Sequence, residues 1–74
     1  MAKEERKQMV LRLLDESDLA LTPYVIFRNL KMRGATFERR TVGNYISELL
    51  DEGRIKQLNG EGTTLYAISQ KGRE

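Results

Sequence analysis

The chain has 74 residues, which is one domain spanning 1–74 with no room for a second. It carries 13 Lys and Arg against 11 Asp and Glu, a net charge of +2, with 39% hydrophobic residues and neither Cys nor His. That composition excludes a disordered tail, a disulfide-held scaffold, the common zinc sites, cysteine nucleophiles and Ser-His-Asp chemistry.

No apolar run approaches the ~18–20 residues needed to cross a bilayer. The charged start, Met1-Ala2-Lys3-Glu4-Glu5-Arg6-Lys7, has no signal-like apolar stretch behind it, so a cytoplasmic protein is expected. A domain this small buries only ~60–65% of the surface of its unfolded chain, so a partner subunit is the expected extra source of stability.

Residues 3–16 are expected to be helical, with Met9, Val10, Leu13 and Leu14 as the apolar stripe and Glu4 and Glu5 facing the N-terminal dipole. Ser17-Asp18 breaks the pattern, and Leu19-Ala20-Leu21 is a short apolar link with room for one β bridge. Thr22-Pro23 marks the next helix start, a capping hydroxyl before a proline at the first helical position. That helix runs to about Met32, with Ile26, Phe27 and Leu30 facing the core, and Gly34 closes it. Ala35-Thr36-Phe37 makes the turn into a third helix over about 39–52, with Glu38 at its start. Val42, Tyr45, Ile46, Leu49 and Leu50 share its inner side, and Gly53 ends it. Arg54–Leu58 and Thr64–Ser69 are expected to be strands around a loop of about five residues, Asn59 to Thr63, with Ile55, Tyr66 and Ile68 inward. Residues 70–74 are polar and expected to fray.

The charge is uneven. From Arg28 to Ser47 the bases are Arg28, Lys31, Arg33, Arg39 and Arg40 and the one acid is Glu38, a net of +4, which leaves −2 on the rest. A basic patch on a nearly neutral body is the footprint of a polyanion binder, although an unpartnered solvated face has the same composition.

Two helices joined by a short glycine-containing turn form a helix-turn-helix, whose second helix fits the major groove of DNA. The outward side of the third helix carries Arg40, Asn44 and Ser47, with Arg39 and Thr41 at its first turn and Gly43 on the flank. Arginine pairs with guanine O6/N7 and asparagine with adenine N6/N7, each in bidentate geometry. Cations are disfavoured at a helix N-terminus, so Arg39 and Arg40 point to an external anion. Gly43 has two readings of equal weight: close approach of DNA, or tight packing against the second helix. Thr22, Tyr24, Arg28, Lys31, Arg33, Arg54 and Lys56 are the candidate phosphate contacts. Tyr24 equally suits a place over the edge of the core.

The run Arg39-Arg40-Thr41-Val42-Gly43-Asn44-Tyr45-Ile46-Ser47-Glu48-Leu49-Leu50-Asp51-Glu52-Gly53-Arg54-Ile55 resembles the recognition helix and first wing strand of winged helix-turn-helix transcriptional regulators. Tyr66-Ala67-Ile68-Ser69-Gln70-Lys71-Gly72 resembles their wing-closing segment. Leu21-Thr22-Pro23 through Asn29-Leu30 is similar to small archaeal proteins of a phage-repressor-like type. Two positions depart from the pattern: Arg54, where relatives are usually apolar, and a wing tip without a base. The resemblance implies an α+β fold of three helices followed by a two-stranded β-hairpin wing. It also implies DNA binding by a homodimer, with the third helix in the major groove.

The expected function is therefore sequence-specific binding of double-stranded DNA by a small transcriptional regulator, a repressor, with no cofactor and no small-molecule effector. The alternative is a protein-interaction module on the same scaffold, without specific DNA binding. An enzyme is not expected: Asp15/Glu16 and Asp51/Glu52 are separated by whole elements, and so small a body leaves no deep pocket.

Overall fold

The computed structural model describes residues 2–74. Its elements are α1 (Lys3–Ser17), α2 (Pro23–Met32), α3 (Arg39–Asp51), β1 (Ile55–Gly60), β2 (Thr63–Ile68) and α4 (Gln70–Arg73). This is the α+β arrangement of a winged helix-turn-helix, with one added turn of helix at the end.

Local chemistry sets the helix boundaries. The Thr22 hydroxyl accepts a hydrogen bond from the Val25 N–H at 3.2 Å, and Pro23 follows it. α2 and α3 both end in the same double bond pattern. Gly34 N–H donates to the Lys31 carbonyl and Ala35 N–H to that of Leu30, each at 3.0 Å. Gly53 N–H donates to Leu50 and Arg54 N–H to Leu49, again at 3.0 Å. These are Schellman caps, which need a left-handed residue, and Gly34 and Gly53 supply φ of 93° and 74°. One cap makes the turn of the helix-turn-helix and the other turns the chain into the wing.

The core lies where the three helices meet the inner face of the wing. Val10, Leu13 and Leu14 of α1, Ile26 and Leu30 of α2, Val42, Ile46 and Leu49 of α3, and Ile55 and Ile68 of the wing are all buried. The stripe of α1 differs from expectation. Its buried residues are Lys7, Val10, Leu11, Leu13 and Leu14, while Met9 is half-buried at the edge. The i, i+3, i+4, i+7 series therefore starts at a lysine.

The burial of Lys7 is explained by its partner. Its ammonium meets the Glu52 carboxylate at 2.5 Å. One turn earlier Lys3 meets Glu48 at 2.7 Å, so two rungs tie α1 to α3. Arg54 closes the group, donating from Nη1 to Glu4 and to Glu52, each at 3.1 Å. The Arg54 guanidinium pulls the Glu4 carboxyl below its ordinary value, and the Lys7 ammonium does the same for Glu52. A depressed carboxylate stabilises the fold above its unfolded-state value and loses that contribution as pH falls through its folded value. The melting temperature is therefore expected to drop as pH is lowered between about 5 and 3, and Glu52→Gln to flatten part of that drop. Thermal melts across this range check it, and a wild-type curve that stays level contradicts the clamp.

The wing is longer than expected. Pairing runs from Ile55↔Ile68 to Gly60↔Thr63, so the loop is the two residues Glu61-Gly62, not five. Thr63 and Thr64 are β-branched and extend the ladder to the tip. Ile55 and Ile68 are buried as a cross-strand pair, and Tyr66 is half-buried against the core. The predicted bridge is present: Leu21 and Tyr66 exchange backbone hydrogen bonds of 2.8 and 2.7 Å.

The C-terminal residues, expected to fray, form a turn of helix. The Ser69 hydroxyl accepts from the Gly72 N–H at 3.2 Å and donates to the Gly53 carbonyl at 2.6 Å. Arg73 reaches Asp15 at 3.3 Å and Asp18 at 3.5 Å. A Cβ at residue 72 would lie 2.0 Å from the Arg54 carbonyl oxygen and 2.8 Å from Ile68 Cγ1. Gly72→Ala is expected to cost about 1–3 kcal/mol by overpacking, as backbone has to move. Chemical denaturation reads that loss, and a neutral result would place the C-terminus elsewhere.

Candidate nucleic-acid interface

The outer face of α3 follows from its 100° turn per residue. Arg40, Gly43, Asn44, Ser47 and Asp51 are all exposed along one side. Thr41 is half-buried on the flank. Nothing lies within 4 Å of a Cβ built on Gly43, so tight packing against α2 is not the reason for this glycine. The face is bare there and leaves the helix backbone open.

Arg39 leaves this face. Its Cζ sits over the Tyr24 ring, 5.4 Å from the centroid, so its guanidinium makes a cation–π contact back to α2. Arg39, expected to read bases, starts from a Cβ about 100° around the helix from that of Arg40 and has its guanidinium at the Tyr24 ring. Tyr24 is 51% exposed.

The expected phosphate contacts separate into two groups. Among the described residues, no carboxylate lies within 4.0 Å of Arg28, Lys31, Arg39, Arg40 or Lys56, whereas Arg33 and Arg54 are paired. Arg33 meets Glu16 at 2.6 Å with both side chains exposed, a pair of the kind worth ~0–1 kcal/mol and easily exchanged. Arg54, the other expected phosphate contact, is held by Glu4 and Glu52 with its side chain 20% exposed. Lys31 lies 5.6 Å from the Phe27 ring centroid and is exposed. Thr22 spends its oxygen on the cap, leaving its O–H proton to donate. Lys56 is not brought to the face of α3; it lines a groove with Leu14, Asp18, Leu19 and Leu58, between the wing and the end of α1.

The ion pairs shape the field around α3. Lys3 and Lys7 neutralise Glu48 and Glu52, two of the acids at its C-terminal end. Arg28, Lys31, Arg39 and Arg40 then stand against only Glu38 and Asp51 on α2, α3 and their turn. Sequence reasoning missed this sorting because the partners are 45 to 50 residues apart and leave no local pattern.

The fold has known counterparts. The chain superposes over 86% of its length on the ferric uptake regulator of Francisella tularensis, solved with iron, with a TM-score of 0.78 and 26% identity. It spans half of that protein. It superposes over 99% of its length on a transcriptional regulator from Clostridium thermocellum, with a TM-score of 0.82, 22% identity and 78% of that chain covered. No protein-family model matches the chain, and no curated protein matches it. The chain thus has the winged-helix fold of transcriptional regulators, and these neighbours are regulators, not enzymes. Among the described residues, no helix is long and apolar enough to cross a membrane.

Proposed function

We propose that this chain is a transcriptional regulator that binds double-stranded DNA sequence-specifically, with α3 in the major groove. The observation that carries this reading is the outer face of α3: Arg40, Asn44 and Ser47 around a bare Gly43. With it go three further cations of α2 and α3, Arg28, Lys31 and Arg39, that no carboxylate among the described residues neutralises. Arg40, Asn44 and Ser47 read base edges, and Thr41 flanks them. Arg28, Lys31, Arg39 and, by exchange from Glu16, Arg33 take phosphates, with Thr22 at the start of α2. The protein acts as a repressor by occupying its site, works in the cytoplasm and needs no small-molecule effector. A homodimer, joined through α1 or the wing, doubles the recognition face.

Selection of bound sequences from a random DNA pool at two salt concentrations tests this. A motif enriched at both supports the reading, and a palindromic motif supports the dimer. Leu19, 69% exposed, and Leu58, 42% exposed, favour a second reading, a protein-interaction module. A pool without enrichment selects that reading over DNA binding.

Gly43→Ala separates fold from function. Alanine is the better helix former by ~1 kcal/mol, which corresponds to a melting temperature about 4–8 °C higher in a domain of this size. On a face that meets DNA closely the added methyl weakens binding. A variant that is both more stable and as tight as wild type removes Gly43 from the interface.

A further inference from the structure

Arg39 has an odd environment. It stands at the first position of α3, where the dipole disfavours a cation, and no carboxylate compensates it. Its one evident partner is the ring of Tyr24, whose face is negative. Tyr24 is odd as well: half of it is exposed, and among the described residues its hydroxyl makes no hydrogen bond. Each oddity explains the other. Stacking uses the flat face of a guanidinium and leaves its N–H donors free in the plane, so a stacked arginine still grips a phosphate with two hydrogen bonds. The ring also restricts a long side chain that would otherwise lose its freedom on binding.

We propose that Tyr24 is a positioning residue. Its ring is the platform that sets the Arg39 guanidinium, before DNA arrives, at the place of a backbone phosphate beside the N-terminus of α3. The hydroxyl takes no part. This departs from the expectation that Tyr24 itself meets phosphate, and it rests on the DNA-binding reading above. It couples the two helices of the motif: a residue of the first turn of α2 tunes a contact made from α3.

The test has a free-protein arm and a DNA arm. In the free protein, ring current shifts the Arg39 side-chain protons upfield in NMR spectra; Tyr24→Leu abolishes the shift and Tyr24→Phe retains it. With DNA, Arg39→Ala lowers the slope of log K against log salt by about 0.9, one phosphate, equally on selected and random sequences. Tyr24→Leu weakens binding about two- to fivefold, the size of an exposed cation–π interaction, and Tyr24→Phe restores what Leu loses. The double variant Tyr24→Leu/Arg39→Ala binds no more weakly than Arg39→Ala alone. A Phe variant as weak as the Leu variant assigns the contact to the hydroxyl and overturns the proposal. Additive losses in the double variant overturn it too, as does a wild-type spectrum without the shift. If the wild-type protein shows the shift but binds no DNA, the function reading fails and takes this role with it, while the stack itself stands.

Discussion

Leu30→Ala is expected to lower the free energy of unfolding by about 2–5 kcal/mol, the range for a leucine truncated inside a packed core. Leu30 has no exposed surface and lies in the last turn of α2, facing the core shared with α1 and α3. A chain of this length has a total stability of ~4–11 kcal/mol at the usual ~0.05–0.15 kcal/mol per residue. One truncation therefore removes a large part of the margin. Met32, two residues on and 82% exposed, is the control: Met32→Ala is expected to stay within ~0.5 kcal/mol of wild type. Urea unfolding followed by circular dichroism measures both, with the slope unchanged if only stability has moved. Equal losses in the two variants would sink this placement of the core. Because Leu30 also holds α2 against α3, its loss should disable the proposed interface through the fold and not through any contact.

How much of this was legible depended on the range of the forces involved. The ends of α2 and α3 could be read because a glycine after an apolar helical run announces a Schellman cap within six residues. The inner faces of α2 and α3 could be read because helical spacing exposes them. The C-terminal turn carries a local signal: Ser69, three residues before Gly72, is a capping hydroxyl at a helix start. The wing is longer than its glycines suggest, because Thr63 and Thr64 continue the ladder.

Side-chain fates across elements were not legible. Lys7 looks like an ordinary surface base, and only Glu52 at the far end of α3 makes its burial tolerable. Arg54 looks like a phosphate ligand until Glu4 and Glu52 are seen on either side of it. Net charge misleads for the same reason. The +2 of the chain counts bases that α1 and the wing have already spent internally, whereas the cations on α2 and α3 keep their full field. The candidate interface is thus made as much by where the acids go as by where the bases are.

The sharpest consequence concerns how α3 would read sequence. Arg40 and Asn44 are one helical turn apart on the same exposed side, a rise of about 6 Å. Stacked bases are about 3.4 Å apart along a strand, so the two side chains meet base pairs about two steps apart. Ser47 lies ~4.5 Å further on, about one more step. Arg40 favours a guanine through O6 and N7, and Asn44 an adenine through N6 and N7. Arg40→Ala and Asn44→Ala are therefore expected each to cost about 1–3 kcal/mol on the selected site and to flatten preference at one position, with the two flattened positions about two base pairs apart. Neither should unfold the protein, since both residues are exposed. Lys31→Ala should behave differently, weakening all sequences alike and lowering the salt slope by about 0.9. Binding measured across a set of single-base variants of the selected site distinguishes these outcomes. If Arg40→Ala and Asn44→Ala lose affinity uniformly, as Lys31→Ala does, α3 lies along the backbone and the bases are read from elsewhere in the chain.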